Sequence, residues 1–388
     1  MKVYFYFGMH ADPVRSYHDM ICLAEGFGKM GIDCVGDRMY FSGHRQVVRY
    51  DENIRQIGGR WNDQSLKIVI FHHALYQFEP NADLQIMQIT SVPNRSFQCI
   101  FIDAMDGVRT RGFERGARSC DLVLKCHFNR KYKYPENFIP WQFGLSNRML
   151  EFVHPSPFEE RSRVFLVNFR VKHQLRDYIN EKIRPIVEKY LAWDNSIYVD
   201  AGRMTEDNLL YWKQTGGRHD VSYYDRLSVS ECCACYGGVF AISYGNRNKY
   251  TARVVREINR IIPIFKWDRV RQWDSWRLWE AWAAGCCVVH IDFEKYGCVI
   301  PEMPQNGVHY VGIDPDNLKA FEDIMSNQDK VKEIAANGRQ FVLDHYVPEK
   351  TANRLLKLLN IPYAPSLLHH HSHIQCPEGA GTDVAERS

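Results

Sequence analysis

The sequence lacks the features that define several large classes of protein. Its 388 residues contain no apolar run near the ~20 residues of a membrane span, and the start MKVYFYFGMH is too quickly polar for a signal peptide. We therefore expect a cytoplasmic protein. No GxGxxG follows the predicted strands at Lys2–Phe7 or Arg163–Asn168, which argues against a dinucleotide-dependent oxidoreductase.

The sequence also has little net charge and no zinc-type cysteine pattern. The formal net charge of +3 argues against a dedicated nucleic-acid binder but permits a local basic pocket. The 12 cysteines show no two CxxC pairs at the spacing of a structural zinc site, and most lie in apolar runs. We predict reduced thiols that pack as small core residues in a reducing compartment, and no metal site.

The length and composition indicate a globular protein of two domains. A chain of 388 residues exceeds the ~250–300 residues at which a single core stops growing. Its hydrophobic fraction of 45% and charged fraction of 24% are those of a soluble protein.

The first half of the chain reads as a doubly wound α/β domain. A strand at Lys2–Phe7, a loop, a helix from Ser16 to Met30 and a strand at Asp33–Tyr40 form its opening. Further buried strands are predicted at Leu66–His72, Gln98–Ile102 and Asp121–Lys125. The aromatic and proline-rich residues Asn129 to Pro157 are predicted to form the hinge that leaves this domain.

A second βα series is predicted after Pro157. It opens with a strand at Arg163–Asn168 and a helix from Gln174 to Leu191. The other predicted elements are a strand at Ile197–Asp200, a helix at Tyr223–Cys235, strands at Val239–Ser243, Cys286–Ile291 and Tyr310–Ile313, and helices at Pro315–Met325, Gln328–His345 and Pro348–Leu359. The basic residues 246–272 are interpreted as an insertion.

The most informative stretch is Trp273 to Asp292, WDSWRLWEAWAAGCCVVHID. Asp274 or Ser275 is a predicted helix cap, and Gly285 tolerates the positive φ that ends a helix. Arg277 and Glu280 are three positions apart, so they share one face near the N-terminal end of the helix. An arginine, a carboxylate and a positive helix terminus suit a ligand with phosphates and ribose hydroxyls. The alternative is an ordinary surface Arg–Glu pair, worth at most ~1 kcal/mol.

This stretch resembles the donor site of a known family. The pattern Glu280-Ala281-x-Ala283-x-Gly285-x-x-Val288-Val289 is similar to that of group-1 glycosyltransferases of the GT-B architecture, and it also resembles exostosin-type enzymes. The resemblance implies two Rossmann-like domains with a cleft between them, and a role for Glu280 in binding the ribose of a nucleotide sugar. Many retaining members carry Glu where this chain has Gln272, and Pro where it has Cys287, so retention or inversion stays open.

Candidate donor-binding residues follow the predicted strands of the second domain. Arg170, Lys172 and His173 lie in the loop after the strand at Arg163–Asn168, where cations and a helix N-terminus form an anion site. A solvated charged loop is the alternative. Arg277 is a second cation for the diphosphate, and Tyr244 follows the strand at Val239–Ser243. The remaining donor candidates are Asp274, Ser275 and Glu280. Such a cationic clamp, as the resemblance implies, needs neither a metal nor another cofactor.

Candidates for the base that activates the acceptor lie at strand ends of the first domain. They are His10, Asp12, His72, Asp103 and Asp106, with His10, Asp12 and Asp103 taken as the catalytic set. A structural role for His72 is equally compatible with its position. The tryptophans at 273, 276, 279 and 282 are predicted to be core or an interdomain surface rather than a stacking platform.

The sequence therefore predicts an α/β protein of GT-B type. Its predicted parts are an acceptor domain at 1–157, a donor domain at 158–347, a helix at 348–361 that crosses back to the first domain, and a disordered tail at 362–388. The predicted activity is metal-independent sugar transfer from a nucleotide sugar to a glycan or other hydroxyl acceptor. A non-hydrolysing nucleotide-sugar epimerase and a catalytically silent nucleotide-sugar-binding protein are the alternatives. Oligomeric state is left open.

Overall fold

A computed structural model describes residues 1–8, 17–42, 45–51, 63–105, 115–169, 174–196, 221–241 and 269–363. In these ranges the chain forms two parallel sheets, each covered by helices. The first sheet contains β1 Lys2–Phe5, β2 Asp33–Gly36, β3 Tyr40–Ser42, β4 Arg45–Tyr50, β5 Leu66–His72, β6 Gln98–Asp103, β7 Leu122–Lys125 and β8 Phe138–Pro140. The helices of this part of the chain are α1 His18–Lys29, α2 Leu75–Phe78, α3 Ala82–Thr90, α4 Arg115–Ser119 and α5 Asn147–Phe152, and Met149 of α5 packs in the apolar core of the second sheet.

The first sheet has the order β3-β4-β2-β1-β5-β6-β7-β8. All its pairs are parallel except β3–β4. Both faces of β1 are buried. Val3 and Phe5 pack in one apolar cluster and Tyr4 packs in another, because successive side chains of a strand point to opposite faces of the sheet. A sheet buried on both faces needs continuous apolar strands, and LKIVIFH of β5 is one. The prediction of a doubly wound α/β fold is confirmed.

The second sheet has the order β10-β9-β11-β14-β15, and each of its pairs is parallel. Its strands are β9 Ser162–Leu166, β10 Ala192–Asp194, β11 Ser230–Ala234, β14 Cys287–Ile291 and β15 Val311–Ile313. Its helices are α6 Gln174–Val187, α7 Val221–Val229, α8 Trp276–Ala283, α9 Phe293–Tyr296, α10 Lys319–Met325, α11 Gln328–His345 and α12 Pro348–Leu358. A 3₁₀ turn, Phe158–Glu160, precedes β9.

Two predicted elements of the second half differ from the structure, and a third lies outside the described residues. The helix predicted over Tyr223–Cys235 is confirmed as far as Val229, where α7 ends, and is wrong beyond it, because Ser230–Ala234 is a fully buried central strand. The strand predicted at Val239–Ser243 is β12 Val239–Ala241, which pairs antiparallel with β13 Arg269–Arg271 in a separate ribbon. The strand predicted at Ile197–Asp200 falls outside the described residues, and β10 lies just before it.

The predicted hinge Asn129–Pro157 is wrong in part, because β8 Phe138–Pro140 adds an edge strand to the first sheet. The two sheet units are also joined beyond this segment. Val299 donates its N–H to the Phe128 carbonyl at 3.0 Å, and Asn129 donates its side-chain amide to the Tyr296 carbonyl at 2.9 Å. The domain limits at 157 and 347 stay predictions.

The last helix, α12, packs against α1 of the first unit. Leu355 and Leu356 of α12 belong to the same apolar cluster as Phe27 of α1. A methyl group placed on Gly26 of α1 would lie 2.0 Å from the Pro348 carbonyl oxygen, so only glycine permits this approach. Within the described ranges, no helix has both the length and the apolar character that a bilayer crossing requires.

Candidate functional site

Helix α8 brings the predicted site residues to the carboxyl edge of the second sheet. The helix starts after Ser275, whose side chain accepts no capping hydrogen bond, so the predicted cap at Ser275 is not made. Asp274 instead accepts bonds from the Phe143 backbone N–H at 2.9 Å and from the Trp279 indole N–H at 2.8 Å. The helix ends at Gly285, whose φ of 68° confirms the predicted left-handed stop.

Glu280 is held by two tyrosines of α7. Its side chain is buried, with 1% of the residue exposed. The Tyr223 hydroxyl donates to Oε2 at 3.2 Å, and the Tyr224 hydroxyl donates to Oε1 at 3.0 Å. Burial and the nearby Glu280 charge raise the pKa of Tyr223 well above its usual value, so this hydroxyl stays protonated and donates. Each oxygen of the Glu280 carboxylate therefore accepts a hydrogen bond from a tyrosine hydroxyl of α7.

Arg277 connects α8 to the residues that follow β9. Its guanidinium donates to the carbonyls of Val167, at 3.2 Å, and of Asn168. It also lies over two aromatic rings, 5.0 Å from the centroid of Phe169 and 5.6 Å from that of Tyr223. These contacts fix a guanidinium at the carboxyl edge of the sheet, where ligands of such folds bind.

Arg176 is a second cation at this edge, and the sequence analysis missed it. Its guanidinium lies 4.3 Å from the centroid of the Phe169 ring, and its Nε donates to the Tyr236 carbonyl at 3.4 Å. Burial and the neighbouring charge of Arg277 lower the pKa of Arg176 to about 10, so it remains a cation at neutral pH. The available signal was its position in the first turn of the helix after β9, three residues beyond the predicted basic loop.

Several other predicted donor residues fall outside the described ranges. They are Arg170, Lys172, His173 and Tyr244. The structure therefore brings together Arg277, Glu280 and the newly found Arg176, while the role predicted for the basic loop stays a prediction.

The carboxyl edge of the first sheet carries a group of buried titratable side chains. Asp103 lies 2.9 Å from the Lys125 Nζ, and both residues are 1% exposed or less. His72 accepts a bond from the Ala74 N–H at 3.2 Å and lies 3.1 Å from the Asp19 carboxylate. The other base candidates, His10, Asp12 and Asp106, fall outside the described ranges, so the catalytic set stays a prediction.

The two carboxyl edges meet around the start of α8. The rings of His18 in α1 and Trp276 in α8 are 4.4 Å apart. The Nδ1 of His127, after β7, accepts bonds from the backbone N–H groups of Trp273 and Asp274, each at 3.1 Å. The first unit therefore contacts the segment that carries Arg277.

The tryptophans of α8 and its preceding loop serve packing. Trp273, Trp279 and Trp282 have no exposed surface. Trp279 packs on Tyr346 with ring centroids 4.6 Å apart, and Trp276 contacts His18 of the first unit. The prediction that these side chains form core and an interdomain surface is confirmed.

One family model matches part of the chain. Residues 242–357 are similar to a family described as glycosyl transferase-like. The matched segment includes α8 with Arg277 and Glu280, and it extends through α11. No curated protein matches the whole sequence at a significant level.

The fold is that of GT-B glycosyltransferases. An α-glucosyltransferase in complex with UDP-glucose and DNA containing an abasic site is 10% identical, with a TM-score of 0.50 over 92% of this chain and 98% of that one. A glycosyltransferase from Rickettsia africae ESF-5 is 11% identical, with a TM-score of 0.50 over 92% and 97%. The similarity to TarM is lower, at 11% identity and a TM-score of 0.41, over 76% of this chain and 55% of that one.

Proposed function

We propose that this protein is a glycosyltransferase that moves a sugar from a nucleotide-sugar donor to a hydroxyl acceptor without a metal ion. The observation that supports it most is the group of Arg176, Arg277 and Glu280 at the carboxyl edge of the second sheet. Arg277 and Glu280 of this group lie in α8, within the segment that is similar to the glycosyl transferase-like family.

The two arginines are suited to a diphosphate leaving group. Both guanidinium groups lie within 5.0 Å of the centroid of the Phe169 ring, and each acts on the other as a like charge. An anion placed beside both relieves this repulsion, and planar guanidinium groups bind phosphate oxygens in a bidentate manner. As the bond to the anomeric carbon breaks, negative charge grows on the diphosphate, and fixed cations stabilise it. These cations take the part that a divalent metal plays in other transferases.

Glu280 is the proposed ribose contact. Its carboxylate accepts hydrogen bonds from the hydroxyls of Tyr223 and Tyr224, and carboxylate oxygens are suitable acceptors for ribose hydroxyls as well. The similar α-glucosyltransferase was solved with UDP-glucose, so a uridine diphosphate sugar is the first donor to test. That structure also contains DNA, but the net charge of +3 here gives no support to a nucleic-acid acceptor.

The acceptor is proposed to enter from the first unit, whose carboxyl edge meets α8 at His18 and His127. Closure of the two units around both substrates would exclude the water that otherwise hydrolyses the donor. The proposed base belongs to the catalytic set His10, Asp12 and Asp103, and the proposed partners are a nucleotide sugar and a glycan or small-molecule acceptor.

The first test is nucleotide binding. A thermal-shift panel of UDP-, GDP-, ADP- and CDP-sugars identifies the base, since a ligand of the folded state raises its stability. Calorimetry then compares the preferred nucleoside diphosphate on the wild type and on Glu280→Ala. We expect the variant to bind at least about tenfold more weakly. Equal affinity would reject the donor-site assignment.

The second test follows the donor over time. Transfer predicts consumption of the donor that depends on an acceptor, with release of the nucleoside diphosphate. A free epimer formed without acceptor would instead identify an epimerase. Tight donor binding without consumption across a broad acceptor panel would identify a silent binding protein.

A further inference from the structure

Tyr223 contacts both charged residues of the candidate donor site on α8. Its hydroxyl donates to Glu280 Oε2 at 3.2 Å, and its ring lies 5.6 Å from the Arg277 guanidinium carbon. Tyr224 also donates to Glu280, at 3.0 Å. One side chain of α7 therefore contacts the Glu280 carboxylate and the Arg277 guanidinium at the same time.

The two contacts of Tyr223 are separable chemically. The hydroxyl orients the carboxylate, because a hydrogen bond from a neutral donor fixes the direction of one oxygen while leaving its charge in place. The ring restrains the guanidinium through its negative face. The tyrosine itself is 9% exposed and has a pKa well above its usual value because of burial and the Glu280 charge, so it does not titrate near neutral pH.

The position of the tyrosine matters because α8 alone does not fix these side chains. Arg277 and Glu280 are long and flexible, and a helix backbone leaves several rotamers open to each. Binding groups held by packing and by neighbouring hydrogen bonds lose less entropy when the ligand arrives. A side chain that contacts both residues restrains the position of the carboxylate relative to the guanidinium, together with the bonds from Arg277 to the Val167 and Asn168 carbonyls.

We propose that Tyr223 is a positioning residue that sets Glu280 for ribose recognition through its hydroxyl and Arg277 for diphosphate binding through its ring. This inference rests on the proposed donor site. It predicts that one change at Tyr223 weakens ribose recognition alone, and that a larger change at the same position also weakens diphosphate binding.

The experiment uses the full-length protein and three probes. The first is the nucleoside diphosphate that stabilises the wild type most, the second is its 2′,3′-dideoxy analogue, and the third is inorganic diphosphate. The ratio of the dissociation constants of the first two measures ribose recognition, and the third measures the anion site. The variants are Tyr223→Phe, Tyr223→Leu and Glu280→Gln.

Tyr346→Phe is the matched control. Tyr346 is a buried tyrosine of the same unit whose hydroxyl donates to the Glu302 carbonyl at 2.6 Å. Its loss removes this hydrogen bond and the one that the hydroxyl accepts from the Glu302 backbone N–H at 2.8 Å, and it removes no contact of Arg277 or Glu280 described above. Thermal unfolding of every variant shows that the binding values refer to folded protein.

We expect Tyr223→Phe to reduce ribose discrimination about threefold to tenfold while leaving the affinity for inorganic diphosphate unchanged. Tyr223→Leu should reduce both, and Tyr346→Phe neither. If Glu280→Gln removes discrimination but Tyr223→Phe and Tyr223→Leu leave both readouts at wild-type values, the positioning role is overturned and the donor site stands. If Glu280→Gln itself retains full discrimination, the donor-site assignment of Glu280 fails.

Discussion

Arg176 and Arg277 contact different parts of the protein. Arg277 donates to the carbonyls of Val167 and Asn168, so its removal leaves backbone acceptors without these partners. Arg176 donates to the Tyr236 carbonyl through Nε at 3.4 Å, and its guanidinium lies over the Phe169 ring. A substitution at Arg176 keeps the bonds of Arg277 to the Val167 and Asn168 carbonyls and tests the phosphate contact proposed for Arg176.

We expect Arg176→Leu to weaken binding of the preferred nucleoside diphosphate about tenfold to one-hundredfold. The loss corresponds to one charge-assisted hydrogen bond of ~1.5–3 kcal/mol. The effect should shrink as ionic strength rises, because salt screens the remaining attraction between the site and the diphosphate. Calorimetry at low and at high salt measures both quantities.

Arg339→Leu is the matched control for this change. Arg339 also donates its Nε to a backbone carbonyl, that of Ala283 at 3.1 Å, but at the opposite end of α8. It should leave nucleotide affinity unchanged. Comparable losses from both variants would show that the effect comes from total charge or stability, and not from a phosphate contact at Arg176.

The residues of the site differ in how far the sequence could reveal them. Arg277 and Glu280 lie within one motif, so helical spacing and the family resemblance identify them together. Tyr223, Phe169 and Arg176 come from three other elements, and only the sheet order β9-β11-β14 brings those elements beside α8. Helical spacing carries no signal for that proximity, because it relates only residues on one helix, and the remaining signal for Arg176 was its place in the first turn of the helix after β9.

At the scale of elements, the long buried strands were the most predictable. The prediction for Leu66–His72 matches β5 at both ends, since its apolar run is bounded by polar residues. The segment Ser230–Ala234 was misread because SECCA contains few residues with a preference for strands. Its strand conformation depends on burial between β9 and β14, which is a property of the tertiary fold.

The packing of α12 on α1 gives a prediction at the same scale. Leu355 has no exposed surface and lies in the apolar cluster of the first unit, whereas Leu358 of the same helix is 44% exposed. We expect Leu355→Ala to reduce the free energy of unfolding by ~2–5 kcal/mol, because it creates a cavity. Leu358→Ala, with identical chemistry, should cost less than ~0.5 kcal/mol. Urea denaturation measures both.

A similar loss from the two alanine variants would contradict the packing of α12 described here. The helix would then contribute through its own propensity, which both substitutions affect equally, rather than through contact with α1. The difference between the two variants also measures how much the contact between the two units contributes to the free energy of unfolding. The reason is that α12 follows the second sheet in the chain but packs on α1 of the first unit.

At the scale of the molecule, the two units are joined by buried polar contacts as well as by apolar packing. Asp274 is 4% exposed and binds the Phe143 N–H, in the segment that leads from the first sheet to α5. Burial raises the pKa of Asp274 to about 7, and the charge of Asp19 in α1 adds to this shift, although hydrogen bonds to the carboxylate oppose it. The backbone N–H of Asp274 donates to His127, whose pKa lies well below its usual value because of burial and the charge of Lys125.

This carboxyl group should make the stability of the whole protein depend on pH. An unfolded aspartate has a pKa near ~3.9, so between about pH 4 and pH 7 the folded protein binds a proton at Asp274 that the unfolded chain releases. The stability gained from this proton is complete below the unfolded pKa and is lost as the pH rises through about 7.

Asparagine is neutral at every pH and keeps an acceptor oxygen, so Asp274→Asn should remove the dependence. We expect the wild type to lose stability relative to Asp274→Asn as the pH rises from 5 to 8, with a slope of at most ~1.4 kcal/mol per pH unit. Thermal unfolding across this range measures the difference in stability. His127 stays neutral throughout the range. Parallel curves of stability against pH for the two proteins would therefore mean that Asp274 is already ionised in the folded state.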